Sequence, residues 1–337
     1  MISNVPSMPS QQVTPASQQQ EYKTDLSTLS QDSVGDYFRS LALRHYIEKI
    51  ITKNEQRQVT TDVSIIDLQS QQAIVGHNLD VEQFAASVNK LPIAQLVLMD
   101  LRSGALQFDQ TLTWTATDVR GGAGVYDQPN APTSATVKDL LFDMLNPSGN
   151  TAVRALVNYG LGGAVQVNAR WQSELHLQHT YLQPLDANRF YVGNSTARES
   201  LQVLRQLLAT NDQYGAFVKN ALATNIYTDY GVRSQLAGND FIVLANKVGI
   251  LDDVDGNNRH DVGIIYNTRT HKSYGYAFMN TAYGDAVNLP TAQAGVSLAD
   301  MGQGTLRFAG DKPVKPQDDS RALRKLNEPA PERRVRY

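Results

Sequence analysis

Apolar side chains recur at near-helical intervals from Gly35 to Gln56, with Phe38, Leu41, Leu43, Tyr46, Ile47, Ile50 and Ile51 toward one side, which predicts an opening helix. Thr60 to Leu68 then alternates around Val63 and Ile65, and Ala73 to Val75 follows a Gln-Ser-Gln-Gln connection, as paired hairpin strands would. From Ser87 the chain is apolar on most sides through Ile93, Leu96, Val97 and Met99, so a helix buried between layers is expected. Thr136-Val137-Lys138-Asp139 reads as a capping box before Leu140, Leu141, Met144 and Leu145, and Pro147 ends that helix. A second helix is expected from Thr151 to Tyr159, stopped by Gly160 in a left-handed cap. Thr196-Ala197-Arg198-Glu199 opens another, with Leu201, Leu204 and Leu208 on one face. Phe241 to Ala245, Val262 to Tyr266 and Tyr274 to Met279 read as strands, with a closing helix after them.

A helix and two strands, then an all-helical block, then strands and a helix imply an α/β (α+β) architecture. An antiparallel sheet flanked by helices is built from both chain ends, and an all-α subdomain is inserted between them. The expected division is an α/β part at 34–80 and about 220–310 and an α part at about 81–219, Ser87 lying at their junction. Residues 1–33 are rich in Ser, Gln and Pro and are expected to be disordered. The tail at 311–337 carries eight Lys or Arg against five Asp or Glu and reads as a solvated, proline-containing extension.

Composition narrows the function. The 337 residues are 41% hydrophobic, enough for a sizeable core, and 33 acidic against 30 basic residues give a net charge of −3, so no nucleic-acid surface is expected. The absence of cysteine excludes disulfides and thiol nucleophiles. No apolar run of about 18 residues reads as a transmembrane segment.

The candidate chemistry starts at Ser87-Val88-Asn89-Lys90. One helical turn carries Lys90 back over Ser87, so the amine can take the hydroxyl proton, and the N–H groups of the helix start favour the anion that follows. Alone, Ser-x-x-Lys is commonly an N-cap serine and a solvated lysine. Two further fragments change that reading: Ser148-Gly149-Asn150 between two helical patterns, and Lys247-Val248-Gly249 closing an apolar strand. Their order fits the signature Ser-x-x-Lys, Ser-x-Asn, Lys-Thr/Ser-Gly.

With Ala85-Ala86-Ser87, Lys90-Leu91-Pro92, Arg120-Gly121-Gly122-Ala123-Gly124, Ser148 to Ala152 and Asp261 to Tyr266, the chain resembles the class A β-lactamase-related serine hydrolases of the penicillin-recognising superfamily, over about residues 40 to 305. The resemblance implies an acyl-enzyme on Ser87, with Lys90 as proton acceptor and Ser148 as proton relay. It implies substrate contacts from Asn150 and Lys247, and an oxyanion site from the N–H groups of Ser87 and Ile250, with Gly249 permitting close approach. The implied substrate is an amide or ester such as a β-lactam or cell-wall peptide, with no cofactor or metal. A non-catalytic module that binds wall peptide or a protein partner is the alternative.

The family implies a bacterial protein acting outside the cytoplasm, whereas no leader is evident. Gln11, Gln12, Gln18, Gln19, Gln20 and prolines 6, 9 and 15 suit a stalk after a removed leader or anchor; otherwise the protein is cytoplasmic.

Two departures from the family pattern bear on activity. Val248 lacks the hydroxyl that bonds a substrate carboxylate, and no glutamate stands where class A enzymes aim one at the deacylating water. Arg170-Trp171-Gln172-Ser173-Glu174-Leu175 resembles that loop but presents Gln172, and Asp186 is the remaining acid, so poor β-lactamase turnover is expected. Asp253, Asp255, Asn257 and Asp261 suggest a calcium loop, but Asp255-Gly256 reads first as a hairpin turn, and His176 and His179 read as structural.

Overall fold

The computed structural model describes residues 31–186, 189–238, 240–253, 256–282 and 289–310. Helix α1 spans Gln31–Glu55 and opens ahead of Gly35, so residues 31–33 are helical rather than disordered. No proline or glycine stands between Gln31 and Val34 to stop the backbone. The disorder expected for residues 1–30 and the solvated tail at 311–337 lie outside the described residues. Leu43, Tyr46, Ile47, Ile50 and Ile51 form the buried stripe of α1, whereas Phe38 and Leu41 are exposed.

The central sheet consists of β1 (Val59–Asp67), β2 (Ala73–His77), β3 (Phe241–Asp253), β4 (Gly256–Asn267) and β5 (Ser273–Ala282). Their spatial order is β2-β1-β5-β4-β3, antiparallel throughout. The two chain ends meet where β1 pairs with β5, from Val59 opposite Ala282 to Asp67 opposite Tyr274. On one face Val63, Ile65, Ile265, Tyr276 and Phe278 pack with α1 and with Leu298 and Met301 of the closing helix. On the other, Ala245, Val262, Ile264, Ala277 and Met279 join the core of the helical block. A sheet covered on both faces by helices is the α+β arrangement that the element order implied.

The block contains α2 (Lys90–Ser103), α3 (Val137–Leu145), α4 (Asn150–Ala155), α5 (Ala164–Ser173), α6 (Ala197–Ala209) and α7 (Gln213–Ala223). α2 runs through its centre with every residue from Lys90 to Leu98 buried. Thr136 and Thr196 cap α3 and α6 by accepting the N–H groups of Asp139 and Glu199. Glu199 does not reach back to complete its box. Its carboxylate accepts the N–H groups of Gln178 and His179 and the Thr180 hydroxyl, tying down the segment before α6.

Four sequence expectations change in detail. Ser87 lies in a 3₁₀ turn, Ala86–Asn89, and the α-helix starts only at Lys90. The helix expected at Thr151–Tyr159 opens at Asn150 and passes into a π-turn over Leu156–Gly160. The left-handed glycines are Gly162 and Gly163, with φ of 83° and 94°, and not Gly160. Lys247-Val248-Gly249 sits within β3, which runs on to Asp253.

The candidate calcium loop from Asp253 to Asp261 is described only in part. Val254 and Asp255 lie outside the described residues, and Asp261 points inward, accepting from the Val232 N–H, the Asn246 amide and the Tyr276 hydroxyl. Among the described residues no group of His, Asp or Glu assembles as a metal site, and no helix is long and apolar enough to cross a membrane.

Candidate active site

The site forms where the 3₁₀ turn, the turn before α4 and strand β3 meet. In a 3₁₀ turn the side chains at i and i+3 eclipse, so the tight geometry, rather than an α-helical turn, sets Lys90 over Ser87. Lys90 Nζ lies 2.9 Å from Ser87 Oγ. Ala86, just before the nucleophile candidate, holds φ at 45°, a left-handed conformation costly for a residue with a Cβ. The turn is braced by the Ala85 N–H donating to Gly193 O at 3.0 Å. Asn89 adds a second brace, its amide donating to Tyr181 O and Asn194 O at 3.2 Å each.

Lys90 is buried and surrounded by four oxygens: Ser87 Oγ, Ser148 Oγ and Asn150 Oδ1 at 2.9 Å each, and Ser148 O at 2.7 Å. The carbonyl of Ser148 and the amide oxygen of Asn150 can only accept. A neutral amine satisfies both with its two N–H bonds, which turns its lone pair toward the hydroxyls. Burial lowers the Lys90 pKa to about 7, against the opposing pull of Asp127 and Asp143, so this neutral form is populated near neutral pH.

Ser148 is also left-handed, with φ of 69°. The turn holds this shape because Asp127 caps α4 from outside, accepting the N–H groups of Asn150 at 3.0 Å and Thr151 at 2.7 Å. Asp143 lies behind it, accepting the Val125 N–H at 2.6 Å, and burial raises its pKa to about 6. Within Arg120-Gly121-Gly122-Ala123-Gly124, Gly122 and Gly124 have a steric reason, whereas Gly121 has open space around it; a Cβ on Gly122 would strike Asp127 Oδ2. A Cβ on Gly124 would overlap the Gly149 backbone and the Asp143 carboxylate, and one on Gly149 would strike Asp143 Oδ2. Asn150 divides its amide between Lys90 and Gly121 O, to which its Nδ2 donates at 2.9 Å.

Lys247 reaches across from β3 and donates to Ser148 Oγ at 2.8 Å. Burial and the nearby Lys90 charge push its pKa well below the usual lysine range. The Tyr227 ring lies against its Nζ, and the Tyr227 hydroxyl donates to Pro147 O. Val248 is 2% exposed and pairs with Asp261 across the sheet. At Gly249 the strand touches the turn that carries Ser87. An added Cβ there would come within 3.1 Å of Ala85 O and Val88 Cγ2 and 3.0 Å of His260 Cδ2. Ile250 follows on the edge strand, with its side chain partly exposed.

The structure thus brings Ser87, Lys90, Ser148, Asn150 and Lys247 into one hydrogen-bonded group, with Gly249 packed on the turn beside it. It does not bring the loop-like segment there. Trp171 and Gln172 lie on α5, where the buried Trp171 donates to Pro92 O and Arg170 pairs with Asp100 and Glu174. Asp186 pairs with Arg189 in its own hairpin turn. Asn89, Asp127, Asp143 and His260 escaped the sequence reading. The signal for Asn89 was an amide in an otherwise apolar helix start.

A serine with a lysine at its hydroxyl, a second serine between two buried lysines and a sheet edge against the nucleophile turn define the class of penicillin-recognising serine enzymes. The chain belongs to the beta-lactamase enzyme family, whose sequence model matches residues 42–302. Among curated proteins none matches the sequence. The fold is similar to that of PBP-A, solved as a single-residue mutant in an acyl-enzyme complex with penicillin G (TM-score 0.67, 17% identity, 80% of this chain and 97% of that one). It is similar to a beta-lactamase from Sphaerobacter thermophilus DSM 20745 (TM-score 0.65, 20% identity, 81% and 99%). An ancestral class A beta-lactamase also shares it (TM-score 0.65, 19% identity, 79% and 99%).

Proposed function

We propose that the protein is an acyl-serine hydrolase that opens an amide or ester, such as a β-lactam or cell-wall peptide, and turns over β-lactams poorly. The observation that carries this reading is Lys90 Nζ at 2.9 Å from Ser87 Oγ, with the acceptor-only oxygens of Ser148 and Asn150 claiming its N–H bonds. Lys90 takes the Ser87 proton as Oγ attacks the carbonyl carbon. The N–H groups of Ser87 and Ile250 receive the oxyanion. Ser148, held between the two lysines, returns a proton to the leaving group as the carbon–heteroatom bond breaks. Water then hydrolyses the acyl-serine.

Slow deacylation is the expected weakness. The acids from the end of α5 to the first turn of α6 are committed elsewhere: Glu174 to Arg170, Asp186 to Arg189 and Glu199 to the N–H groups of Gln178 and His179. Among the described residues, the hydrogen bonds of Ser87 and Lys90 run to one another, to Ser148 and to Asn150, and not to these carboxylates. Action on wall peptides would place the protein outside the cytoplasm.

Intact-mass and peptide mass spectrometry after exposure to a fluorophosphonate and to penicillin G tests the reading. A single adduct on Ser87, absent in Ser87→Ala, is expected, and the penicillin adduct should persist for many minutes. Folded protein with no adduct from either probe would favour the non-catalytic binding module instead.

A further inference from the structure

His260 lies on β4 directly opposite Gly249, in register across the β3–β4 ladder. Its ring is fully buried and makes two directed bonds. Nδ1 accepts the Asn280 N–H at 3.1 Å, which leaves the proton on Nε2, and Nε2 donates to Phe84 O at 2.8 Å. Phe84 ends the short strand Gln83–Phe84 that leads into the turn carrying Ser87, and the ring edge at Cδ2 faces the bare backbone of Gly249. One side chain therefore touches three separate segments: β5 through Asn280, the segment leading into the Ser87 turn through Phe84, and β3 one residue before Ile250. The two backbone N–H groups assigned to the oxyanion follow the last two of these contacts along the chain.

We propose that His260 is a positioning residue for acylation, its ring setting the spacing between the N–H groups of Ser87 and Ile250. This rests on the acyl-serine reading above. The ring acts as a spacer with a fixed acceptor on one side and a fixed donor on the other. Burial lowers its pKa to about 4, so both bonds persist across the neutral range. Oxyanion catalysis depends on donors held in place before charge develops, and misplacement by about 1 Å costs about 10²-fold in rate.

The test compares His260→Gln, His260→Asn and His260→Leu in the full chain. Each is followed by its melting temperature and by the concentration dependence of fluorophosphonate labelling, which separates a binding constant from a limiting rate. Gln can accept from Asn280 and donate to Phe84 and should label within about tenfold of the parent. Asn is too short to span both partners and Leu can make neither bond, so each should lower the limiting rate about 10²-fold with little change in the binding constant. A folded Asn or Leu variant labelled at the parental limiting rate would overturn the proposal. So would a loss confined to the binding constant, or a Gln variant that is as slow as Asn or does not fold. If Leu fails to fold, the Asn and Gln pair decides. Failure of the parent protein itself to label counts against the acyl-serine reading and not against His260.

Discussion

Lys90 and Lys247 converge on one hydroxyl: Ser148 Oγ lies 2.9 Å from Lys90 Nζ and 2.8 Å from Lys247 Nζ. Two ammonium groups this close and this buried repel each other, and burial further disfavours charge on either. The pair is stable with at least one amine neutral, and a neutral amine is what a proton acceptor for Ser87 requires.

Acylation should therefore follow the protonation of Lys90, whose pKa is lowered to about 7. The labelling rate of Ser87 is expected to rise as pH passes upward through about 7 and then level off, because only the deprotonated amine accepts the proton. Asp143 holds the Lys90 pKa up, so Asp143→Asn should move the inflection to lower pH. A flat profile from about pH 5 to 9, or an upward shift in the variant, would contradict this account.

The contact between Gly149 and Asp143 predicts a coupled pair of substitutions. Gly149→Ala drives a methyl group into Asp143 Oδ2 and should cost about 1–3 kcal/mol in urea unfolding. Asp143→Ala makes room for that methyl, so the double variant should be more stable than the sum of the single losses implies. Strict additivity would show that the turn absorbs the methyl without moving Asp143.

Asp62 on β1 is fully buried, and among the described residues neither carboxyl oxygen has a partner in good hydrogen-bond geometry; burial raises its pKa well above 3.8, opposed by the nearby side-chain amides of Gln83 and Asn78. The folded protein holds this proton at pH values where the unfolded chain has released it. Its contribution to stability is thus greatest in acid and is lost as pH rises. Asp62→Asn should stabilise the protein at about pH 7 by about 1–3 kcal/mol and make no difference below about pH 3. Thermal melts at the two pH values check this, and an equal effect at both would refute it.

Restoring a hydroxyl at position 248 should improve recognition of carboxylate-bearing substrates. Val248→Thr is expected to raise the second-order acylation constant for penicillin G about tenfold, equivalent to one charge-assisted hydrogen bond. Fluorophosphonate labelling, which involves no carboxylate, should change little. If both rates rise together, the substitution acts on the nucleophile and not on recognition.

Helical periodicity and strand alternation were enough to reach the sheet-and-helices architecture, and the spacing of Ser87, Lys90, Ser148, Asn150 and Lys247 was enough to nominate them together. The missed residues act across long sequence separations. Asn89 grips Tyr181 and Asn194, Asp127 caps Asn150 and Thr151, and His260 bonds to Phe84. No local pattern encodes such pairings. β3 looked short because Lys247 and Gly249 interrupt its apolar alternation. Those positions face the helical block and the nucleophile turn, where a buried amine and a bare backbone are needed and a packed hydrophobe would not fit.

The pairing of β1 with β5 gives the protein a timetable. Ser87 emerges from the ribosome early, yet β3, β4 and β5 complete the sheet that the nucleophile turn rests on, and Val59 finds its partner only when Ala282 has been made. Such long-range closure makes folding slow relative to a helical bundle. A nascent chain stalled before β3 would carry Ser87 and Lys90 and still lack Lys247, Gly249 and Ile250. Reactivity toward an acylating probe should switch on late in synthesis, in a single step, rather than grow with chain length.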